Sequence, residues 1–146
     1  MTAKEYLNKI QVYRQAMQTH SERIEELYAD ASGLKAIVYD KDRVQVSPTN
    51  QMEIVFERID AEAAKYVKAR LRYEREVHKR IDQIGQLDNA QYAQVLTLRY
   101  INGKRWEEIA CIMNYSFRHI TRLHGQALAA FASKHKDVLL CPRRSC

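Results

Sequence analysis

Glycine and proline are nearly missing from this chain, which has 4 Gly and 2 Pro in 146 residues. Few residues are therefore available to break a helix. Ala, Leu, Glu, Lys, Arg and Gln fill much of the rest, and these side chains lose little freedom on helical backbone. The expected fold class is all-α. The length allows one moderate domain, or a small domain with an appendage, able to bury a core without disulfide staples.

In the N-terminal part, Tyr6, Ile10, Tyr13, Met17, Ile24, Leu27 and Ala31 recur in alternating steps of four and three, with His20 in the missing place. That spacing is the seam of a long helix packed lengthwise on a partner. A single histidine on such a seam is read as a hydrogen-bonding residue rather than a metal ligand. Ser32 and Gly33 can end the helix, and residues 32–51 form a loop. Within it "AIVYDKDRVQVSPTN" alternates in the manner of a short β-hairpin or an extended segment. Thr49 or Asn50 then suits the cap of a second helix.

The second helix is expected from about Met52 to Gly85, with Val55, Phe56, Ile59, Ala63, Tyr66, Val67, Leu71, Val77, Ile81 and Ile84 as a drifting apolar stripe. In "RLRYEREVHKRID" acids interleave with bases at helical pair spacing, which favours a salt-bridged flank over a nucleic-acid surface. Residues 1–86 thus read as a coiled-coil-like helical hairpin. It buries one stripe per helix, so a second copy or the C-terminal region is needed to complete its core. Homodimerisation through these helices, or capture of a protein partner, is the expected role of the arm.

The division is expected near residue 87, in "GQLDNA", where Asp88 is available as a cap. Residues 87–134 then read as three helices. The first, about 89–101, packs through Tyr92, Val95, Leu96 and Ile101 and ends at Asn102-Gly103, where glycine takes the left-handed turn of a helix exit. The second begins near Arg105 or Trp106 and buries Trp106, Ile109, Ala110 and Met113, with Glu107 and Glu108 complementing its dipole. Asn114 tolerates a left-handed turn, and Ser116 caps the third helix. Two helices joined by so tight a corner have helix-turn-helix geometry, and residues 135–146 are left as a basic tail.

On the third helix Ile120, Leu123, Ala127, Leu128 and Phe131 share a face. At 100° per residue Arg118 and Arg122 project almost opposite it, with Thr121, Gly125 and Gln126 around them and His119 at the edge. A recognition helix inserts this half into the major groove, where arginine makes paired hydrogen bonds to guanine. Arg118 and Arg122 are the leading candidates for DNA contact, with Ser116, Phe117, His119, Thr121 and Gln126 beside them; Lys104 and Arg105 suit phosphates. Gly125 either leaves room for close backbone approach or is a tolerated weak point.

Charge agrees with a polyanionic partner. Residues 1–86 carry 15 basic and 14 acidic side chains, while residues 87–146 carry 9 and 4. No apolar run approaches the roughly 20 residues of a membrane span, and "MTAKEYLNKI" lacks a signal-peptide core, so the cytoplasm is the expected compartment and no membrane is a partner. Cys111 is expected to be a buried helix residue. Cys141 and Cys146 in "CPRRSC" have no second ligand pair nearby at familiar spacing, so no metal is expected. Neither is a cofactor or a catalytic group, since the sequence holds no phosphate-cradling glycine loop and no acid cluster at metal spacing.

The stretch "LTLRYINGKRWEEIACIMNYSFRHITRLHGQAL" resembles region 4 of bacterial sigma factors: "LRY", a glycine turn, an aromatic followed by "EEIA", a small turn, a serine-started helix and an "LH-x-x-AL" ending. The chain departs from that pattern in Asn114, where glycine is usual, and in its short tail. Nothing before residue 87 resembles the promoter-melting or clamp-binding regions, which speaks against a complete sigma factor. With "MTAKEYL", a helical arm and "DRVQVSP", the layout is similar to small phage and prophage regulators of the ArpU and RinA type. The resemblance implies a sequence-specific DNA-binding regulator of late-gene promoters with double-stranded DNA, and bacterial RNA polymerase, as partners. Two alternatives remain: an RNA polymerase-binding adaptor with little DNA specificity, and a small terminase-like packaging component.

Overall fold

The computed structural model describes residues 1–38 and 48–140. Among these the regular structure is helical throughout: α1 (Ala3–Val38), α2 (Pro48–Gly85), α3 (Ala90–Leu96) continuing into a π-helical turn (Thr97–Ile101), α4 (Trp106–Met113), α5 (Phe117–Lys134) and α6 (Lys136–Leu140). The all-α expectation holds.

Two ends differ from expectation. α1 runs through Ser32 and Gly33 to Val38, and the Ser32 hydroxyl donates back to the Tyr28 carbonyl at 3.0 Å instead of capping a terminus. α2 starts at Pro48, a residue whose fixed φ suits a first helical turn, which leaves Thr49 and Asn50 inside the helix. Helix thus replaces both ends of the expected loop, and its centre, residues 39–47, lies outside the described residues, as does the Cys141/Cys146 tail.

The chain divides into two compact units, Met1–Val12 with Glu74 onward, and Tyr13–Tyr73. That division falls elsewhere than residue 87 because the start of α1 and the end of α2 share a core with the C-terminal helices. Tyr6, Leu7, Ile84, Val95, Ile120 and Phe131 belong to one buried cluster. Each fully buried aliphatic or aromatic side chain there contributes about 1.5–3 kcal/mol. The Tyr6 and Phe131 rings stack at 6.1 Å, and the Tyr6 hydroxyl donates to Gln83 at 2.8 Å. A reciprocal cap starts α1: Thr2 N–H donates to the Glu5 carboxylate at 2.8 Å, and Glu5 N–H to the Thr2 hydroxyl at 3.2 Å. These bonds hold the Glu5 carboxyl below its usual pKa.

In the Tyr13–Tyr73 unit α1 and α2 run antiparallel. The α1 seam is the expected one, with Tyr13, Met17, His20, Ile24 and Leu27 half-buried and Ala31 buried. On α2 the packed face is Val55, Ile59, Glu62, Tyr66, Ala69 and Tyr73, whereas Phe56, Val67 and Leu71 are 45%, 53% and 56% exposed. The expected stripe followed apolar residues alone and drifted off this heptad. Polar residues hold the phase because each meets a partner: Glu62 the ring nitrogen of His20, and Tyr73 the guanidinium of Arg14 at 3.1 Å. The His20 bond, aided by Lys65 at 3.2 Å, lowers the Glu62 pKa. In the other unit Ile81 is likewise exposed, while Arg80 is buried.

Candidate nucleic-acid interface

The ends of the C-terminal helices are set largely by local chemistry. Asn89, extended at φ −98°, caps α3 by accepting from Gln91 N–H at 2.9 Å. Asp88, the expected cap, instead accepts from the Lys134 ammonium at 2.9 Å, which lowers its pKa. After α3 the Asn102 N–H reaches the Thr97 carbonyl at 3.0 Å, a wide turn that ends at Gly103 with φ 68°. Arg99 then braces the next corner, with its Nη1 donating to the Lys104 carbonyl at 2.9 Å and its guanidinium 4.5 Å over the Trp106 ring.

α4 begins on half of a capping box. Arg105 has no acceptor to offer, but its N–H donates to the Glu108 carboxylate at 2.8 Å. This bond and the Lys104 ammonium at 3.3 Å lower the Glu108 pKa. α4 ends as the sequence predicts. Asn114 sits at φ 56°, ψ 43°, Tyr115 N–H bonds the Ala110 carbonyl at 3.0 Å and Asn114 N–H the Cys111 carbonyl at 3.3 Å. That paired arrangement is a Schellman stop. Ser116, extended at φ −69°, ψ 152°, then caps α5 by accepting from His119 N–H at 3.2 Å.

Between these helices Ile109, Ile120, Leu123, Ala127 and Phe131 are buried, as expected, with Trp106, Ala110 and Met113 packed against them. Cys111 departs from expectation: it turns off the Ile109 face of α4 and is exposed. His124 is half-buried and points inward. It lies 3.0 Å from the Tyr100 hydroxyl and 4.7 Å from the Trp106 ring, which meets it edge-on. Burial, with the charges of Arg99 and Lys4, lowers its pKa to about 4. Burial likewise raises the Tyr100 pKa.

With the core taken up, the opposite face of α5 is open. Ser116, Arg118, His119, Thr121 and Arg122 together line a surface concavity of about 560 Å³. Thr121 donates its hydroxyl to the Arg118 carbonyl at 3.0 Å, and Arg122 Nη2 lies 3.4 Å from His119 Nδ1. Among the described residues no carboxylate is within ion-pair distance of Arg118 or Arg122, and α5 contains no acid at all. Phe117, 51% exposed, and Gln126, also exposed, lie outside the concavity lining. So do Arg105, exposed at the start of α4, and Lys104, which is half-buried and paired with Glu108. A Cβ added at Gly125 meets nothing within 4 Å, so no chain segment needs a glycine there.

One contributor escaped the sequence reading. Tyr115 places its ring 4.5 Å from that of His119 and accepts a hydrogen bond from the Gln91 amide at 2.7 Å, steadying the rim of the concavity from α3. Its signal was an aromatic inside a polar corner, where an apolar ring is costly unless packed.

The chemistry on offer is that of hydrogen-bond donors and positive charge: guanidinium forks, hydroxyls and an imidazole gathered on one open face of α5. Among the described residues no group of three or more His, Cys, Asp or Glu could hold a metal, and no helix is long and apolar enough to cross a membrane. No protein-family model, curated protein or solved structure matches the chain.

Proposed function

We propose that α4 and α5 form a helix-turn-helix of the sigma region 4 type and that the chain is a sequence-specific DNA-binding regulator, not an enzyme. The observation that carries this reading is the acid-free outer face of α5, on which Arg118 and Arg122 stand one turn apart beside a side-chain-capped N-terminus. Arginine forks match the O6 and N7 acceptors of guanine, while Ser116 and Thr121 suit phosphate or base-edge contacts. Arg105, exposed at the start of α4, adds a positive charge suited to phosphate contact. The resemblance to ArpU- and RinA-type proteins adds the biological setting, late transcription in a phage or prophage, with double-stranded DNA as partner.

A second reading rests on a different surface. Ile112 on α4 is 51% exposed and sits next to the exposed Cys111, a small apolar patch suited to docking on RNA polymerase or another regulator. Binding to DNA fragments tiled across the chain's own genomic neighbourhood, at two salt concentrations and with unrelated competitor DNA, separates the readings. A competitor-resistant footprint supports the regulator. Binding that is sequence-blind and lost with salt, or no binding, transfers the role to protein docking.

A further inference from the structure

The Tyr13–Tyr73 unit has little interior of its own. Among its described side chains only Ala31, Ile59 and Glu62 are buried, as expected of a helix pair that buries one stripe from each member. At the same time α2 presents the exposed side chains of Phe56, Val67 and Leu71 on a different face. With Asp60, Ala63 and Ala64 these fall within an arc of about 100° on the helix.

Charge along the same helix is segregated. Residues 51–62 carry Glu53, Glu57, Asp60 and Glu62 against Arg58, whereas residues 63–73 carry Lys65, Lys68, Arg70 and Arg72 and no acid. Glu53 and Glu57 are four residues apart, as are Lys68 and Arg72, and like charges at that spacing disfavour an isolated helix.

We propose that this face of α2 pairs with α2 of a second copy of this chain, antiparallel, about a two-fold axis beside Ala63 and Ala64. Charge selects the direction. An antiparallel pair sets the acidic half of each helix against the basic half of the other, while a parallel pair stacks like on like. A two-fold contact repeats every interaction, so Phe56 of each copy packs on Leu71 of the other. The two small alanines at the crossing let the backbones approach. Glu57 and Lys68 share one flank of the stripe, and equivalent flanks face each other in an antiparallel pair, which brings Glu57 of one copy to Lys68 of the second. The product is a four-helix bundle, whose core holds the side chains left outside in a single chain.

The pairing stands apart from the DNA-binding reading, and its test contains no DNA. In the full chain carrying Cys111→Ser, Cys141→Ser and Cys146→Ser, a nitroxide label is placed at Ala61→Cys, exposed and off the proposed stripe, in one sample and Glu53→Cys in another. Sedimentation gives the mass, circular dichroism the helicity and pulsed dipolar spectroscopy the label separation. A dimer is expected, with a short separation at residue 61 and one at residue 53 reflecting an offset of ~30 Å along the helix axis at 1.5 Å per residue. Glu57→Lys is expected to lose the dimer at unchanged helicity, and adding Lys68→Glu to restore it. A monomer, equally short separations at both positions, or a dimer indifferent to Leu71→Glu overturns the proposal.

Discussion

The guanidinium of Arg80 lies 4.3 Å over the ring of Tyr6, a residue 74 positions away. Its Nε donates to the Tyr6 carbonyl at 3.1 Å, and its Nη1 donates to the Glu76 carbonyl at 3.0 Å and carboxylate at 2.5 Å. At 1% exposure, this cation occupies a core position that an apolar residue would normally fill. Arg80→Ala removes the guanidinium donors from the Tyr6 carbonyl and the Glu76 carboxylate and empties the space over the ring. The expected cost is about 2–4 kcal/mol in urea unfolding. Arg80→Lys recovers only part of it, since an ammonium cannot reproduce the fork. A loss below about 1 kcal/mol for the alanine variant would show that the site relaxes around the gap.

His124 makes stability depend on pH in a defined window. Its folded-state pKa of about 4 lies below the ordinary 6.5, so the unfolded chain binds this proton more readily. The contribution is complete above the ordinary value and is lost as pH falls toward the folded one. Allowing for partial exposure, it is about 1–2 kcal/mol. An NMR titration of the imidazole is expected to show no midpoint above pH ~5, and His124→Gln to flatten the stability profile between about pH 6.5 and 5. A midpoint near the ordinary histidine value would refute both expectations.

Asn114 holds a left-handed conformation that glycine adopts without steric cost. Asn114→Gly is therefore expected to match or exceed the parent in thermal unfolding, whereas Asn114→Val, with its branched Cβ, loses about 1–2 kcal/mol. Equal stability of the valine variant would mean that the corner accepts another geometry.

Legibility tracked whether a feature is decided locally. The Asn114 stop, the Gly103 turn and the Ser116 cap could be read because a few adjacent residues determine each. So could the inward face of α5, where the periodic residues are apolar. The α2 seam could not, because Glu62, Tyr73 and Arg80 hold buried or half-buried positions by virtue of partners 42 to 74 residues distant. Asp88 and Asn89 are both good caps, and only the distant Lys134 decides that Asp88 does something else. For the candidate site, the sequence supplied all five side chains of the concavity, but not Tyr115, whose partner lies on α3.

Arg118→Ala and Arg122→Ala are each expected to weaken specific DNA binding by roughly 1–3 kcal/mol and to relax preference at one base position. Arg105→Ala is expected to act on all sequences alike and to lower the salt slope by about one unit. Fluorescence anisotropy across a salt series distinguishes the two patterns. Unchanged affinity in both α5 variants would remove these arginines from the interface.

Gly125 occupies open space on α5, so Gly125→Ala is expected to raise stability by about 1 kcal/mol through helix propensity alone. If DNA affinity drops despite that gain, the glycine serves close approach of the ligand to the backbone; if affinity holds, its presence is incidental.

The stack of Tyr6 on Phe131 has a consequence for the order in which the chain is made. Translation delivers the first residues of α1 long before the helix they pack against. At 5–20 residues per second, roughly 6–25 s separate the emergence of Tyr6 from that of Phe131. During that interval the Tyr13–Tyr73 segment can already close on itself, while Tyr6 and Leu7 wait with part of their surface wet. Tyr6 and Leu7 are thus fully covered only once α5 has been made, although α1 precedes it in the chain.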